Sequence, residues 1–334
     1  MLKSNFPSIY IVSLIAYCLL PTAYCFSQVT FQQTFVAPAM NGGLYVANTS
    51  DGGFIVTDQH ESSGAGGCDI YVFRRDGCGN LVWFKTYGGT DPADSDGGTC
   101  IRQTSDGGFI VSALGFNSSF GGAGSPRETN LLKLDANGNV QWVKTFGGGA
   151  EDYGMFVQQT TDGGYILLGN VNSFGMGGWD VYLVKTDNNG NLQWSKTFGG
   201  SGTDFANVVE QTSDGGYIII GSTNSFGAGG WDVWLIKTDN SGNLQWSKTI
   251  GGPGDEGEHW HTKGQITSDG GYIIGTRTNS FGAGSWDYWL IKTDNNGNHQ
   301  WSRTYGTAGD DQPRFVRQTT DNGYAMAGFT GVIS

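Results

Sequence analysis

A four-residue turn motif recurs along this chain at a nearly constant spacing. The motif is Asp-Gly-Gly followed by Phe or Tyr; it occurs five times, and a weaker Asp-Asn-Gly-Tyr copy follows, with 52 to 56 residues between successive copies. A period near fifty residues indicates one supersecondary unit that has been copied several times, so the fold must follow from that unit. The copies begin at Asp51, Asp106, Asp162, Asp214, Asp269 and Asp321.

The unit at residues 203–252 contains four extended segments and no helical periodicity. Residues 205–212 mix β-branched and polar side chains, whereas residues 217–223 are apolar without alternation, as expected of a strand covered on both faces. Residues 231–238 and 244–250 follow, and the Asp-Asn-Ser-Gly-Asn sequence between them is typical of a tight hairpin. Each unit is therefore predicted to be a four-stranded antiparallel meander.

A single sheet of this kind cannot bury both of its faces, so the copies must stack face to face. Radial stacking gives a β-propeller; a linear β-solenoid is the alternative, but its coils are usually much shorter than fifty residues. We predict an all-β fold, a β-propeller of four-stranded antiparallel blades with five complete repeats and an incomplete sixth. The complete repeats span about 44–89 and 96–148 and then end at Gly200, Gly252 and Gly306, and the sixth begins at Asp310.

Two sequence features carry a resemblance to known repeat families. The segments DVYLVKTDNNGNLQWSKTFGG and DVWLIKTDNSGNLQWSKTIGG resemble the SBBP-type β-propeller repeats of secreted bacterial proteins. The hairpin with Asp239, Gly242 and Trp246 also resembles the tryptophan-docking turn of PQQ-like propellers. The resemblance covers nearly all of the chain after residue 27 and implies the fold, but it implies almost nothing about activity, because such repeats serve many functions.

Residues 1–27 differ in composition from everything that follows. Lys3 gives a positive start, and residues 9–20 form an apolar run of about a dozen residues, which is shorter than the ~20 that a membrane-spanning helix needs. Cys25 and Ser27 permit cleavage before Gln28. We predict a secretory signal peptide at 1–27 and a propeller domain at 28–334, secreted or at the cell surface, with no membrane span after cleavage.

The two ends of the propeller domain carry parts of one blade. Residues 29–36 match the fourth strand of a repeat, and the sixth repeat has only two recognisable strands before residue 334. This arrangement predicts that both ends share a blade, with residues 29–36 lying beside residues 312–329. The missing third strand leaves two interpretations, a three-stranded shared blade or a sequence that is incomplete at its C-terminus, and we favour the second. Secreted relatives often carry a C-terminal sorting domain.

Charge and cysteine usage exclude some classes of function. Without Lys3 the chain has 17 basic and 30 acidic residues, a net charge of −13, which repels nucleic acid and anionic lipid. Three cysteines remain after cleavage, an odd number that leaves at least one thiol unpaired. Cys68 and Cys78 are predicted to lie at opposite ends of one strand, beyond disulfide reach, and Cys100 aligns with the core residue Val208. Nucleic-acid binding is therefore set aside, and no disulfide framework is expected.

A recurring acid lies before the first strand of most repeats. Because the first strand of a propeller blade lines the central channel, these carboxylates are predicted to lie at one mouth of that channel. They could hold a hard cation such as calcium or bind a basic partner; alternatively, each caps its own blade by accepting hydrogen bonds from backbone amides, and we favour this second interpretation. The acids are Asp96, Asp152, Asp204 and Asp311, with the Asp-Glu-Gly-Glu run at residues 255–258 near the equivalent place in repeat five.

Residues 255–261, Asp-Glu-Gly-Glu-His-Trp-His, interrupt the repeat with a three-residue insertion. If this segment is a strand, His259 and His261 share one face, and with Glu256 or Glu258 they could bind zinc or a similar metal. A solvated insertion is the simpler interpretation, because no third histidine has a diagnostic spacing. No cofactor is expected, although calcium remains a weak possibility.

The remaining motifs predict structure rather than chemistry. The Asp-x-(Asn/Ser)-Gly-Asn turns lack the later bidentate Glu of a calcium loop and are interpreted as hairpins. The periodic tryptophans are predicted to pack between blades, with an aromatic platform for sugars as the minor alternative: Trp179, Trp194, Trp231, Trp246, Trp286 and Trp301.

No nucleophile–base pair stands out in the sequence. The leading hypothesis is an exported, non-catalytic and monomeric propeller that presents a binding surface for a protein or glycan outside the cell. The alternative is a secreted carbohydrate-active hydrolase or lyase with a site at the channel mouth. A convergent cluster of histidines and carboxylates would favour the alternative, and only residues 255–261 offer one.

Overall fold

The computed structural model describes residues 45–60, 67–89, 96–116 and 127–331. These residues form twenty-two β-strands, and no helix occurs within those ranges, so none there could cross a membrane. The strands of the first three blades are β1 (Tyr45–Asn48), β2 (Phe54–His60), β3 (Asp69–Arg75), β4 (Leu81–Tyr87), β5 (Gly97–Gln103), β6 (Phe109–Phe116), β7 (Arg127–Leu134), β8 (Val140–Phe146), β9 (Asp152–Gln159), β10 (Tyr165–Val171), β11 (Asp180–Thr186) and β12 (Leu192–Phe198).

The other three blades repeat the same order of strands. They contain β13 (Asp204–Gln211), β14 (Tyr217–Thr223), β15 (Asp232–Thr238), β16 (Leu244–Ile250), β17 (Lys263–Ile266), β18 (Tyr272–Thr278), β19 (Asp287–Thr293), β20 (His299–Tyr305), β21 (Gln312–Gln318) and β22 (Tyr324–Phe329). The strands form five four-stranded antiparallel meanders and one two-stranded sheet, each in simple sequence order.

The first strands of successive sheets contact one another, β1 with β5, β5 with β9, β9 with β13, β13 with β17 and β17 with β21. The sheets therefore stack face to face with their first strands innermost. The predicted fold class is confirmed: the chain is a β-propeller with five complete blades, and two strands of a sixth are described.

The burial of each strand follows its place in the blade. The second and third strands of the middle blades, such as β14 and β15, are buried along their whole length, whereas the fourth strand, β16, is half exposed. This explains the unbroken apolar sequence of residues 217–223, because both faces of that strand are covered by neighbouring blades. The sequence-based boundaries of the four strands agree with the structure to within one residue.

The hairpin before each fourth strand forms as its sequence predicts. Asp239 Oδ1 accepts hydrogen bonds from the amides of Ser241 (2.9 Å) and Asn243 (2.8 Å), and Gly242 has φ +75°. Only glycine takes that backbone conformation without steric cost. The same bonds occur at Asp187 and Asp294. These turns therefore have the chemistry of hairpins.

A lysine in the third strand pairs with the turn-motif aspartate of the same blade. Lys237 Nζ lies 2.9 Å from Asp214 Oδ2 and donates to the Thr238 carbonyl (2.8 Å), and the lysine side chain is only 6% exposed. Partial burial alone would raise the pKa of Asp214, but hydrogen bonds from Thr212 and Lys237 outweigh it and lower the pKa to about 2. The pair repeats at Lys133–Asp106, Lys185–Asp162 and Lys292–Asp269.

These ion pairs predict a loss of stability in acid. Because the folded pKa of Asp214 lies below its ordinary value, the stability that it contributes is present above about pH 4 and is lost as the pH falls towards 2. Replacement of Asp214 by Asn should cost roughly 1 kcal/mol at pH 7, since the aspartate is half exposed, and roughly a third of that at pH 2.5, which is still just above the folded pKa. Urea unfolding at both pH values measures the difference.

The matched control for that prediction is Asp321→Asn in the sixth blade. Asp321 accepts the same hydrogen bond from a threonine hydroxyl, Thr319 Oγ1 (2.5 Å), but no lysine ion pair occurs at it within the described residues. The control should therefore show a smaller dependence on pH. Equal effects of the two substitutions would mean that the lysine contributes nothing.

The tryptophan of the fourth strand packs between blades, as predicted. The indole of Trp246 lies against the hairpin glycine of the next blade, where a Cβ on Gly297 would come within 2.7 Å of Cη2, and near the ring of Tyr272. Trp194 and Trp301 make the corresponding contacts with Tyr217 and Tyr324. In the described blades, the indoles of Trp83, Trp142, Trp194 and Trp246 each lie against the hairpin glycine of the next blade.

Several predictions concern residues outside the described ranges. The signal peptide at 1–27 and the strand at 29–36 both lie outside them, so shared-blade closure stays a prediction. Cys100 is fully buried, which confirms its place in the core; Cys68 is half-buried, Cys78 is exposed, and all three are free thiols.

Candidate binding site at the channel mouth

The acids that recur before the first strands lie at or next to the beginning of those strands and are fully buried. Each of three accepts a hydrogen bond from the amide four residues earlier: Asp152 from Gly148 (2.8 Å), Asp204 from Gly200 (2.8 Å) and Asp311 from Thr307 (2.7 Å). Asp152 and Asp204 also accept bonds from serine hydroxyls of the neighbouring loop. These contacts are backbone caps. Asp96 occupies the same position before β5 and is also fully buried.

A second acid, at the start of the third strand, caps the preceding loop in the same way. Asp180 Oδ2 accepts the Met176 amide (2.8 Å), and Asp232 Oδ2 accepts the Ala228 amide (3.0 Å). In the sequence, this residue is the Asp of a repeated Trp-Asp pair, but the spacing of the repeat does not predict which group the carboxylate contacts. The set is Asp69, Glu128, Asp180, Asp232 and Asp287.

A glycine directly after each fourth strand lies between the two kinds of acid. A Cβ on Gly199 would overlap Asp180 Oδ1 and lie 2.9 Å from Asp204 Oδ2. The two carboxylates of neighbouring blades therefore approach each other across the space of one methyl group, and we call each such couple a junction pair. The other pairs, each with its glycine, are Asp69–Asp96 (Gly88), Glu128–Asp152 (Gly147), Asp232–Glu256 (Gly251) and Asp287–Asp311 (Gly306).

Aromatic rings gather at the end of the propeller where the first strands begin, which we call the mouth. Tyr153 stacks on Trp179 with 4.6 Å between ring centroids, and Trp179 stacks on Phe205 of the next blade at 5.8 Å. Phe205 continues to Trp231 at 6.1 Å and to His259 at 4.9 Å. Trp260 lies 6.1 Å from Tyr153 and 6.0 Å from Phe205. We name this set the mouth cluster: Tyr153, Trp179, Phe205, Trp231, His259 and Trp260.

The insertion at 255–261 is a folded turn and not a strand, and His259 and Trp260 in it are exposed. The innermost strand of this blade, β17, begins only at Lys263, and His259 has φ +53°, a conformation that is uncommon for any residue but glycine. The Asn207 side-chain amide donates to the His259 carbonyl (2.9 Å), and the Gly257 amide donates to the Arg277 carbonyl (2.9 Å). The turn therefore holds Trp260, which is 36% exposed, over the rings of two preceding blades.

The four candidate metal ligands of the insertion have separate partners. Glu256 is buried and takes the place of the capping acid, accepting the Gly252 amide (2.8 Å) and the Thr278 hydroxyl (2.9 Å). Glu258 forms an ion pair with Arg277, whose guanidinium lies 4.1 Å above the ring of Trp286.

The two histidines are also engaged. The ring Nδ1 of His261 is 2.9 Å from the Glu258 carbonyl, and burial lowers the pKa of this histidine, so it is neutral at pH 7. His259 lies in the mouth cluster, against Phe205 and Trp231. Within the described part of the chain, no group of three or more His, Cys, Asp or Glu side chains could hold a metal ion.

Comparison with known proteins supports the β-propeller fold and does not identify a function. No family model matches the chain, so the resemblance to SBBP-type and PQQ-like repeats stays a prediction. The chain is 27% identical over 181 residues to the regulatory protein FlaEY of Caulobacter vibrioides; the match covers 47% of this chain and 18% of that protein's length.

Two solved structures have a similar fold. A protein of unknown function from Dyadobacter fermentans is 9% identical, with a TM-score of 0.54 over 81% of this chain and 86% of that one. A puromycin hydrolase is 14% identical, with a TM-score of 0.51 over 90% of this chain and 44% of that one. At these identities the likeness shows the fold alone.

Proposed function

We propose that this chain is an exported, non-catalytic propeller that binds a protein or glycan outside the cell through the mouth cluster. The observation that carries the proposal is Trp260, the one exposed tryptophan of the described residues, which lies on an insertion with no counterpart in the two neighbouring blades. The exposed rings of the glycine-rich loops, Phe174, Phe226 and Phe281, by contrast, recur with the period of the fold.

The backbone of the insertion supports this role. A non-glycine residue held at positive φ costs free energy and persists where the surrounding structure imposes it, often at a functional site. His259 is held in this way by contacts to Asn207 and Trp231 of the preceding blade, and the turn presents Trp260 in one orientation. A rigid aromatic side chain loses little conformational entropy on binding, which is why tryptophan, tyrosine and arginine dominate binding hot spots.

The polar groups around Trp260 suit recognition better than hydrolysis. The Tyr153 hydroxyl donates to Glu151 (2.9 Å), and Arg277 is paired with Glu258. Within the described residues of the mouth, Glu151 therefore accepts a hydrogen bond from a phenol and Glu258 pairs with a guanidinium. Neither carboxylate is bonded to a histidine side chain that could act as a base. The residues 1–27, with their apolar run, support export.

The test is the replacement of Trp260 by Ala in the mature chain. Partners are first found with a glycan array and a pull-down from the surface fraction of the native host. The variant should bind each partner at least tenfold more weakly, as expected for loss of about 2 kcal/mol at a hot spot. Its free energy of unfolding should fall by clearly less than the ~3–5 kcal/mol that truncation of a buried tryptophan costs, since the indole is one-third exposed.

The matched control is Phe84→Ala. Phe84 is 57% exposed and lies on the fourth strand of the first blade, away from the mouth cluster. It should leave binding unchanged. A ligand that binds the Trp260 variant with full affinity places the recognition surface elsewhere and overturns the proposal.

A further inference from the structure

The junction pairs contain buried carboxylate oxygens without a hydrogen-bond partner. Glu128 Oε2, Asp180 Oδ1 and Asp311 Oδ1 are of this kind, and the three side chains are at most 5% exposed. Asp180 Oδ1 and Glu128 Oε2 are also the atoms that a Cβ on the junction glycine would overlap, so each is aimed at the acid of the next blade. A buried oxygen left without a donor is costly, and a repeated one needs an explanation.

The acids that face Asp180 Oδ1 and Glu128 Oε2 are already supplied with donors. Asp204 accepts the Gly200 amide and the hydroxyls of Ser225 and Thr223, and Asp152 accepts amides of Gly148 and Asn172 and the hydroxyl of Ser173. The orphan oxygen therefore faces an acid whose oxygens already accept hydrogen bonds from backbone amides and hydroxyls.

One proton resolves this arrangement more simply than a cation does. If the orphan oxygen carries a proton, it becomes a donor to the facing carboxylate, and one buried negative charge is removed, as in carboxyl pairs that share a proton. A hard cation takes six or more oxygen ligands, and the described residues offer no group of three acids at any junction.

We propose that the junction pair Glu128–Asp152 shares one proton at neutral and lower pH, and that release of this proton at higher pH loosens the mouth cluster and so regulates ligand binding. The released proton goes to water, and no other bond changes. The regulatory half of the inference rests on the function proposed above; the shared proton does not.

The electrostatic surroundings place this change near neutrality. Burial, the charge of Asp152 and a hydrogen bond with Asp152 raise the pKa of Glu128 to about 7. Within the described ranges, the other ionisable groups that face the pair are Tyr182 from β11, Tyr153 and Glu151 next to Asp152, and Arg127 next to Glu128. Because the folded pKa lies above the unfolded value of 4.5, the associated stability is complete below pH 4.5 and is lost as the pH rises through 7.

The pair is covalently adjacent to the mouth cluster. Asp152 precedes Tyr153, which stacks on Trp179, and Trp179 precedes Asp180 of the next junction pair. Two ionised carboxylates that are separated by the space of one methyl group in a buried site repel each other strongly. They must therefore move apart or admit water. Either movement shifts Tyr153 against Trp179.

The test compares the ligand-free mature protein with Glu128→Gln and with Glu151→Gln. Glu128→Gln supplies a permanent donor to Asp152, whereas Glu151 is an exposed neighbour outside the pair, and Glu151→Gln keeps an oxygen that can accept the Tyr153 hydroxyl. Infrared spectra should show a buried protonated carboxyl band at pH 6 that is lost by pH 8.5. Glu128→Gln should lack this band, and Glu151→Gln should retain it. Titration between pH 6 and 8.5 should release about one proton per molecule fewer from Glu128→Gln than from the original protein.

Tryptophan fluorescence reports the mouth in the same samples. We expect a pH-dependent change between pH 6 and 8.5 that disappears in Glu128→Gln and in Trp179→Phe but persists in Glu151→Gln. Equal spectra and equal proton release in all variants would overturn the shared proton. A rise in stability with calcium that is lost in Glu128→Gln would also overturn it, in favour of a cation.

Binding assays then separate the two proposals. If the proton is found but ligand affinity does not change with pH, the regulatory inference is wrong while the binding function stands. If affinity falls with pH in the original protein and stays constant in Glu128→Gln, the regulation is supported. Loss of binding in Trp260→Ala is measured independently at pH 6, where the proton is bound.

Discussion

Replacement of Gly199 by Ala should lower the free energy of unfolding by about 3 kcal/mol. The added Cβ would overlap Asp180 Oδ1 and lie 2.9 Å from Asp204 Oδ2, so both buried acids must move. Each then loses part of its bonding to loop amides, and overpacking of a filled site costs about 1–3 kcal/mol even without such losses. Equilibrium unfolding in urea at pH 6 measures the change.

The control is Gly149→Ala, which lies in the equivalent loop one blade earlier. A Cβ on Gly149 meets nothing within 4 Å, and neither Gly149 nor Gly199 has a positive φ. The control should therefore change stability by no more than about 0.5 kcal/mol. Similar losses in both variants would show that chain flexibility, not the space between the acids, sets the cost.

Replacement of Trp246 by Ala should also cost about 3 kcal/mol. The indole fills the space between β16 and the hairpin of the next blade, against Gly297 and near Tyr272, and Lys248 lies over its ring. Truncation of a buried tryptophan costs about 3–5 kcal/mol, and this one is half-buried, which places the effect at the lower end. Thermal and urea unfolding of the ligand-free protein measure it.

Trp260→Ala provides the comparison for that variant. Both substitutions remove the same side chain, but only Trp246 joins two blades in its periodic position. We expect opposite outcomes, with stability lost at Trp246 and binding lost at Trp260. If Trp246→Ala unfolds like the original protein, the contact with the next hairpin contributes no net stability.

Most of the fold could be predicted because its determinants are local and repeated. The positive φ of Gly242 and the aspartate bonds of the hairpin involve residues within five positions of one another. The apolar run at residues 217–223 identifies a strand that is covered on both faces, and it is fully buried. A correct interpretation of one repeat therefore predicts the structure of all five complete blades.

The site was harder to predict because it depends on contacts between different repeats. The acid before the first strand was visible, but its neighbour Asp180 lies 24 residues before Asp204 and belongs to another blade. The only sequence signal was the recurrence of both acids and of the glycine after the fourth strand. Trp260 had no periodic signal at all, since its position depends on a turn with φ +53° at His259.

Each junction pair takes one acid from one repeat and one from the next, with the glycine between them. A whole unit inserted or removed between two such glycines would therefore leave every remaining junction chemically complete. Duplication and deletion of whole units can change the number of blades without any new contact having to evolve. Among the described blades, the copy with the insertion at 255–261 is the one that carries an exposed tryptophan, so its loss would change the mouth surface while the junctions stayed complete.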